Sequence, residues 1–156
     1  MPNIKVCHIF KTYLPDTVGG LEKVIEQICL QTAKSGVENT IITLSRSPKP
    51  KIIKRPEATV IRCPVSFDFA STPMSAGLIK TFWDHIKDVD LLHYHFPWPF
   101  ADLLHLLNGN GKPSIITYHS DILKHNLLKR LYRPMMSYFL SSVAQIVVTS
   151  HNYLQT

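Results

Sequence analysis

Two adjacent glycines separate a strand pattern from a helix pattern in the segment Tyr13-Leu14-Pro15-Asp16-Thr17-Val18-Gly19-Gly20-Leu21-Glu22-Lys23. The apolar residues 4–10 before this segment predict a buried strand. Apolar side chains that recur at three- and four-residue steps after it predict a helix over residues 20–35. In an open parallel sheet, ligands bind outside the carboxyl ends of the strands. Gly19 and Gly20 would then lie at a ligand-binding edge, where the missing Cβ lets a ligand approach the backbone.

The rest of the chain repeats this alternation of strand and helix patterns. Because the predicted strands are apolar throughout rather than alternating, they indicate a parallel sheet with helices on both faces. The sequence therefore predicts an α/β fold, with a Rossmann-like sheet in a single domain over residues 1–156. The further strands are predicted over 39–44, 59–63, 89–95, 114–119 and 145–149, the helices over 73–87, 101–107 and 123–142 (the last broken near Pro134), and a polar loop over 45–57.

Composition limits the class of protein and its location. The chain has 156 residues, about one domain, and its 45% hydrophobic content is enough for a core. A formal net charge of +6 suggests an anionic partner. Three widely spaced cysteines without a CxxC pair predict reduced thiols. With no membrane-span or signal-peptide pattern, the sequence predicts a cytoplasmic protein, with peripheral contact to the inner face of the membrane left open.

The glycine pair alone is a weak phosphate signal. The first N–H groups of the following helix would point at an anionic group, with the positive end of the helix dipole behind them. However, the segment is neither GxGxxG nor a Walker loop, and Asp16 adds negative charge to it. A tight turn that simply uses glycine is an equally good interpretation at this level.

Four segments taken together resemble the family 4 retaining glycosyltransferases, which have the two-domain GT-B fold. The resemblance covers nearly the whole chain, but only the N-terminal, acceptor-side domain of such an enzyme. The family's C-terminal donor-binding domain, with a basic pair and a Glu-x7-Glu motif, has no counterpart in these 156 residues. The segments are Tyr13-x-Pro15 with Gly19-Gly20-x-Glu22, Asp90-Leu91-Leu92-His93-Tyr94-His95-Phe96, Lys112-Pro113-Ser114-Ile115-Ile116-Thr117-Tyr118-His119-Ser120-Asp121 and Ala144-Gln145-Ile146-Val147-Val148-Thr149-Ser150.

The resemblance implies a reaction and roles for three residues. A hexosyl- or mannosyltransferase would move a sugar from a nucleotide-diphosphate donor to a glycan or lipid-linked acceptor, with retention of configuration. Gly19 and Gly20 would face the donor diphosphate, and His119 would act catalytically near the transferred sugar. No cofactor or metal is expected. This chain alone is expected to be inactive, because the donor-binding domain is missing from it.

Three more residues are candidates for substrate binding, each with a structural alternative. His95 would lie near the acceptor, or form a core or rim pair with His93, which shares its face of the strand. Asp121 would bind acceptor hydroxyls or cap the next helix. Trp98 would form a wall for a sugar ring, or simply be packed. We do not expect zinc at the histidine pair, because no acidic or cysteine ligand accompanies it.

The last predicted helix carries a basic side with Lys124, Lys129, Arg130 and Arg133. Such a helix can lie on an anionic membrane, although a solvated basic face is at least as common. The alternative function is a non-catalytic binding module for a phosphorylated ligand, an anionic lipid or a partner protein. A nicotinamide-dependent oxidoreductase is disfavoured, because the second strand ends in Leu44-Ser45-Arg46 without an acid. No motif supports nucleic-acid binding.

Overall fold

The computed structural model describes residues 3–69, 72–107, 111–120 and 126–150. Strands and helices alternate along these residues, as the sequence predicts. In chain order they are β1 (Lys5–Ile9), α1 (Gly20–Lys34), β2 (Glu38–Ser45), β3 (Ile52–Lys54), β4 (Thr59–Pro64), β5 (Phe67–Phe69), β6 (Thr72–Met74), α2 (Ala76–Ile86), β7 (Leu91–Phe96), α3 (Pro99–Leu106), β8 (Ser114–Tyr118), α4 (Asn126–Ser142) and β9 (Gln145–Val148).

The main sheet has seven strands in the order β3-β4-β2-β1-β7-β8-β9. All pairings from β4 to β9 are parallel, and only the short edge strand β3 runs antiparallel. Strands β2, β4 and β3 lie on one side of β1, and strands β7, β8 and β9 lie on the other side. The doubly wound α/β fold is therefore confirmed, and its topological switch point lies between β1 and β7.

Helices cover both faces of the sheet. On one face, α1 packs through Ile25 and Cys29 against Ile41 and Val60 of the strands. On the other face, side chains of α2, α3 and α4 share a single core with the strands. Each fully buried aliphatic or aromatic side chain there contributes about 1.5–3 kcal/mol of burial free energy. The helical members of this second core are Leu78, Phe82 and Ile86 of α2, Phe100, Ala101 and Leu104 of α3, and Phe139 of α4.

Two predicted boundaries were wrong. The loop predicted over 45–57 contains β3, and the helix predicted from Pro73 begins only at Ala76. Pro73 instead pairs with Asp68 in the two-stranded ribbon of β5 and β6. The Ser75 hydroxyl then caps α2 by accepting from the Leu78 N–H at 3.0 Å.

The predicted break of the last helix near Pro134 does not occur either. Helix α4 continues through this proline. A proline inside a helix costs one hydrogen bond and crowds the preceding turn. The second half of α4 is held by tertiary packing, since Phe139 is buried and Met136 and Leu140 pack against the same core. Among the described residues, no helix is long and apolar enough to cross a membrane.

Candidate functional site

The glycine pair lies where the sequence places it, at the start of α1 beside the switch point. Gly19 is the N-cap residue, and its carbonyl accepts the first helical hydrogen bond, from Lys23 N–H at 3.1 Å. Its lack of a side chain leaves the N-terminus without a side-chain cap. Within the described part of the chain, no group accepts from the N–H groups of Gly20, Leu21 and Glu22. This turn therefore presents three free donors and the positive end of a fifteen-residue helix.

The structure explains why glycine is needed at position 19 but not at position 20. A Cβ at Gly19 would lie 2.6 Å from Oε2 of Glu22, so the buried Glu22 carboxylate occupies that space. A Cβ at Gly20 would meet no heavy atom within 4 Å, and its φ is not in the left-handed region. The fold therefore gives a steric reason for Gly19 but none for Gly20.

The negative charge of Asp16 is an argument against an anion site in this loop. In the structure, an ion pair with Arg62 compensates that charge. The buried guanidinium of Arg62 donates to both Asp16 carboxylate oxygens, from Nε at 2.8 Å and from Nη2. Arg62 also donates to the carbonyls of Ser47 at 2.6 Å and Pro50 at 3.0 Å. Arg62 of β4 thus ties the loop after β1 to the loop after β2, and neither Arg62 nor its role could be identified from sequence spacing.

A cleft of about 590 Å³ opens beside this loop, at the carboxyl ends of β1 and β2. Its lining includes two cations that the sequence analysis did not single out, Lys11 and Arg46. Arg46 is exposed and bonds Asp68 of the ribbon at 2.8 Å. The cleft is thus closed on one side by the β5–β6 ribbon, an element that the sequence did not predict.

His119 lies on the ligand edge, directly after β8. Its backbone N–H donates to the Phe96 carbonyl at 3.1 Å, which extends the β7–β8 pairing by one residue. The side chain is 7% exposed and lies 6.5 Å, centroid to centroid, from the ring of Phe10 at the end of β1. His119 thus lies at the carboxyl edge of the sheet, near the end of β1, and its catalytic role stays a prediction.

Three more histidines lie behind His119 on the same face of the sheet. His8 and His93 are register partners on β1 and β7, and His95 follows His93 by two residues. His8 Nδ1 lies 3.2 Å from His95 Nε2, and His95 Nδ1 lies 3.1 Å from His119 Nε2. The pairing of His93 and His95 was predicted; the connection from His8 to His119 was not, because it depends on strand order.

Burial keeps these four imidazoles neutral. Desolvation lowers the pKa of His8 to about 4 and that of His119 to about 4. It also lowers the pKa of His93 and His95 well below the usual value, and the neighbouring histidines lower both further. The site therefore contains uncharged rings at pH 7, which can donate or accept hydrogen bonds but add no positive charge.

The rings of His8, His93 and His95 each place a nitrogen within 4.8 Å of the others, a grouping that suits a metal ion. Five of their six ring nitrogens already have hydrogen-bond partners, however. His8 Nε2 lies 3.2 Å from Asn39 Oδ1, and His93 Nε2 lies 2.7 Å from Thr117 Oγ1. The donor set contains no carboxylate or thiolate, and most of its nitrogens are engaged without an ion. The expectation of a metal-independent site stays a prediction.

The other candidate residues are placed less directly. His95 is fully buried, so it reaches the edge only through His119. Trp98 is 1% exposed and its indole N–H donates to the Pro73 carbonyl at 3.0 Å, which matches the packed alternative and not a sugar wall. Asp121 and Lys124 lie outside the described residues, as does the side chain of Lys129.

The basic side of α4 is exposed at Arg130 and Arg133. The apolar side of the same helix packs into the core through Phe139, Met136 and Leu140. These three side chains are therefore not free to enter a lipid surface, and the exposed Arg130 and Arg133 would contact a membrane electrostatically.

A buried acid that the sequence analysis missed joins α3 to α4. Asp102 has no solvent exposure, and Tyr132 Oη donates to its Oδ2 atom. Burial raises the pKa of Asp102 to about 7, and the Tyr132 hydrogen bond opposes part of that rise. Asp102 is fully buried in the first turn of α3 and is bonded to α4, so we assign it to stability.

Fold and site together define a Rossmann-like α/β domain with a ligand-binding edge at its switch point. Among solved structures, the chain is similar to an alpha-glucosyltransferase in complex with UDP and a 13-mer DNA containing a HMU base. The TM-score is 0.52 at 14% sequence identity, over 94% of this chain and 38% of that one. At this identity the similarity establishes the fold.

Sequence comparison then gives the family. Residues 18–155 match the model of Glycosyltransferase Family 4, and the chain belongs to this family. It is 45% identical over 153 residues to D-rhamnosyltransferase WbpZ of Pseudomonas aeruginosa, and 40% identical over 151 residues to O-antigen chain mannosyltransferase C of Escherichia coli. The alignments cover 98% and 97% of this chain but only 40% and 41% of those proteins. The family resemblance noted from the motifs is confirmed.

Proposed function

We propose that this chain is the acceptor-side domain of an enzyme that transfers a hexosyl residue from a nucleotide-diphosphate sugar to a glycan or lipid-linked acceptor. Family membership supports sugar transfer, and the names of the two relatives support a sugar of the mannosyl or rhamnosyl type. The observation that carries the proposal is the open first turn of α1 at the switch point. Its donors have no acceptor among the residues that the structure describes, and the position of Gly20 has no steric explanation there.

The chemistry needs what this turn offers. The bond between the anomeric carbon and the diphosphate oxygen breaks, and a bond from that carbon to the acceptor oxygen forms on the same face. Negative charge develops on the leaving diphosphate, whose oxygen takes the proton that the acceptor hydroxyl loses. The N–H groups of Gly20, Leu21 and Glu22 are oriented donors that stabilise this charge, supported by the helix dipole. The Asp16–Arg62 ion pair compensates the charge of Asp16, which would otherwise oppose it. In this scheme no metal is required.

The acceptor side of the reaction is assigned to His119. The neutral imidazole at the edge would contact the acceptor hydroxyl or the transferred sugar. The chain aligns with only 40% and 41% of the length of its two relatives. We assign most of the donor contacts to a second domain in the remainder of the full-length protein. The isolated chain should therefore not transfer sugar.

A peripheral position on an anionic inner membrane surface is a further part of the proposal. It is supported by the exposed Arg130 and Arg133 and by the net charge of +6. Because the apolar side of α4 is used in the core, this contact would be salt-dependent.

The direct experiment is an assay of the full-length protein with a panel of nucleotide-diphosphate sugars, including activated mannose and rhamnose, and lipid-linked or oligosaccharide acceptors. We expect acceptor-dependent release of nucleoside diphosphate, unchanged by EDTA. The NMR coupling of the anomeric proton in the product should show the configuration of the donor. An inverted product would refute retention.

The same assay distinguishes sugar transfer from the alternative function, a non-catalytic binding module. A full-length protein that binds a nucleotide sugar or anionic vesicles, but transfers no sugar from any donor of the panel, would contradict the proposal. That result would favour a non-catalytic binding function.

A further inference from the structure

A line of hydrogen bonds runs from the interior of the domain to the ligand edge, through Asn39, His8, His95 and His119. We propose that Asn39, His8 and His95 are positioning residues that fix the tautomer of His119, with the proton on Nε2 and a lone pair on Nδ1. His119 then meets its ligand as a hydrogen-bond acceptor. The nature of that ligand rests on the proposed function, but the tautomer does not.

Asn39 anchors the line because its amide can have only one orientation. Its Nδ2 atom lies 3.0 Å from the carbonyl oxygen of Cys29 and 3.3 Å from that of Glu57. Both partners only accept, so the nitrogen must face them and Oδ1 must face His8. Asn39 is 4% exposed, and its contact with His8 is buried.

Proton counting then assigns each ring in turn. Because Asn39 Oδ1 only accepts, His8 Nε2 must carry the proton, which leaves His8 Nδ1 as an acceptor. His95 Nε2 must therefore donate to His8 Nδ1 over 3.2 Å, which leaves His95 Nδ1 as an acceptor. His119 Nε2 must in turn donate to His95 Nδ1 over 3.1 Å. The last member of the line keeps one nitrogen, Nδ1, for which the described residues offer no partner, and that nitrogen has no proton.

Ring geometry and charge are consistent with this assignment. The planes of His8 and His95 are inclined by 17°, and those of His95 and His119 by 24°, as expected for rings whose edges meet nearly in one plane. The count requires one proton per ring, and burial keeps all three rings neutral. Reversing the direction would set the lone pair of His8 Nε2 against Asn39 Oδ1 at 3.2 Å, which is repulsive.

The functional consequence is a restriction on what His119 can bind. With Nε2–H committed to His95, the ring cannot donate to a substrate oxygen. It can accept from a hydroxyl of the sugar or of the acceptor, and it can hold that hydroxyl in one orientation. A donor to a developing oxyanion must therefore come from elsewhere, for which the first turn of α1 is suited.

The test is a long-range proton–nitrogen correlation NMR experiment on the full-length protein with selectively labelled histidine, assigned with His119→Gln. We expect the pattern of an Nε2–H tautomer for His119 at pH 7, without substrate. An Nδ1–H pattern would overturn the proposal. Because no sugar or acceptor is present, this result is independent of whether the protein transfers sugar.

Variants of His8 test the relay itself. In His8→Phe, His95 Nε2 loses its acceptor, so His95 should donate through Nδ1 and His119 should switch to Nδ1–H. His8→Gln, whose amide can both donate and accept, should restore Nε2–H and also covers failure of the Phe variant to fold. His93→Phe is the matched control, because it removes a neighbouring buried ring outside the line and should leave the tautomer unchanged. An unchanged His119 pattern in folded His8→Phe would overturn the relay.

Two further measurements distinguish a role of His8 in positioning His119 from a purely structural role. In the transfer assay, His8→Phe should lower kcat about 10-fold or more with little change in donor KM, and His8→Gln should recover most of it. A switched tautomer with wild-type kcat would overturn the positioning role. Metal analysis of the purified protein should find no stoichiometric ion; one equivalent that is lost in His93→Phe would mean that the nitrogens are ligands and would overturn the proton count.

Discussion

The substitution Gly20→Ala in the full-length enzyme separates a structural glycine from a ligand-binding one. The added Cβ would meet no heavy atom within 4 Å, and the backbone of Gly20 is not in the left-handed region. The fold should therefore accept alanine. Restricting the unfolded chain should raise the free energy of unfolding by about 0.4–1 kcal/mol.

The expected effect on turnover is opposite and larger. A diphosphate oxygen that accepts from a first-turn N–H must approach its nitrogen to about 3 Å. A methyl group at this position obstructs that approach and weakens one charge-assisted hydrogen bond, which contributes about 1.5–3 kcal/mol. At about 1.4 kcal/mol per factor of ten, kcat/KM for the donor should fall roughly 10- to 150-fold.

Both quantities are measured on the same preparation, by urea unfolding and by nucleoside diphosphate release. Gly77→Ala is the matched control, because Gly77 lies in the first turn of α2 and its Cβ would make only ordinary contacts, the nearest at 3.7 Å to Ser75 Oγ. It should show normal turnover. If Gly20→Ala kept the wild-type kcat/KM, the diphosphate would not bind this turn. Gly19→Ala is a less clean test, because Glu22 must move.

Four further outcomes are expected. His119→Ala should reduce kcat at least 10-fold while donor binding, measured by calorimetry, changes little, because the ring acts at the acceptor side. Arg62→Met should lower the free energy of unfolding by about 3 kcal/mol, since it leaves its aspartate partner unpaired in a partly buried site. Asp102→Asn should remove a pH dependence of stability: the raised pKa of about 7 means that the buried acid is favoured when protonated, so wild-type stability falls as pH rises from about 4 through 7, by at most about 4 kcal/mol. Replacing Arg130 and Arg133 by alanine should weaken binding to anionic vesicles about 30-fold, at about 1 kcal/mol per charge.

Each of these outcomes has a result that would contradict it. Unchanged kinetics in His119→Ala would return the ring to a structural role. A loss below 1 kcal/mol in Arg62→Met would mean that the ion pair is largely solvent-screened. For Asp102→Asn, a stability curve parallel to that of the wild type would show that the acid is ionised in the fold. Equal binding of the double arginine variant and the wild type to anionic vesicles, or equal binding to neutral ones, would refute the membrane contact.

The sheet could be predicted because its strands are buried on both faces. Apolar runs such as Ile41–Leu44 leave little choice of structure, and the glycine pair marks the first strand-to-helix turn. The elements that were missed are short and partly exposed. Phe67 and Phe69 of β5 are 58% and 55% exposed, and a three-residue strand carries no periodicity to recognise.

The site was predictable only as far as its residues are local in sequence. Gly20 and His119 follow strands and could be placed at the carboxyl edge from the sequence. The partners that define their chemistry come from other strands: Arg62 of β4 reaches Asp16, and His8 of β1 reaches His95 of β7. Such contacts depend on strand order and register, which apolar patterning does not specify.

The most direct test of the central claim is a crystal structure of the full-length protein with a nucleoside diphosphate bound. Diphosphate oxygens should lie within hydrogen-bond distance, about 3 Å, of the first-turn backbone nitrogens of α1, beginning at Gly20. A diphosphate held only by the second domain, with the α1 turn left to solvent, would show that this turn does not bind the donor.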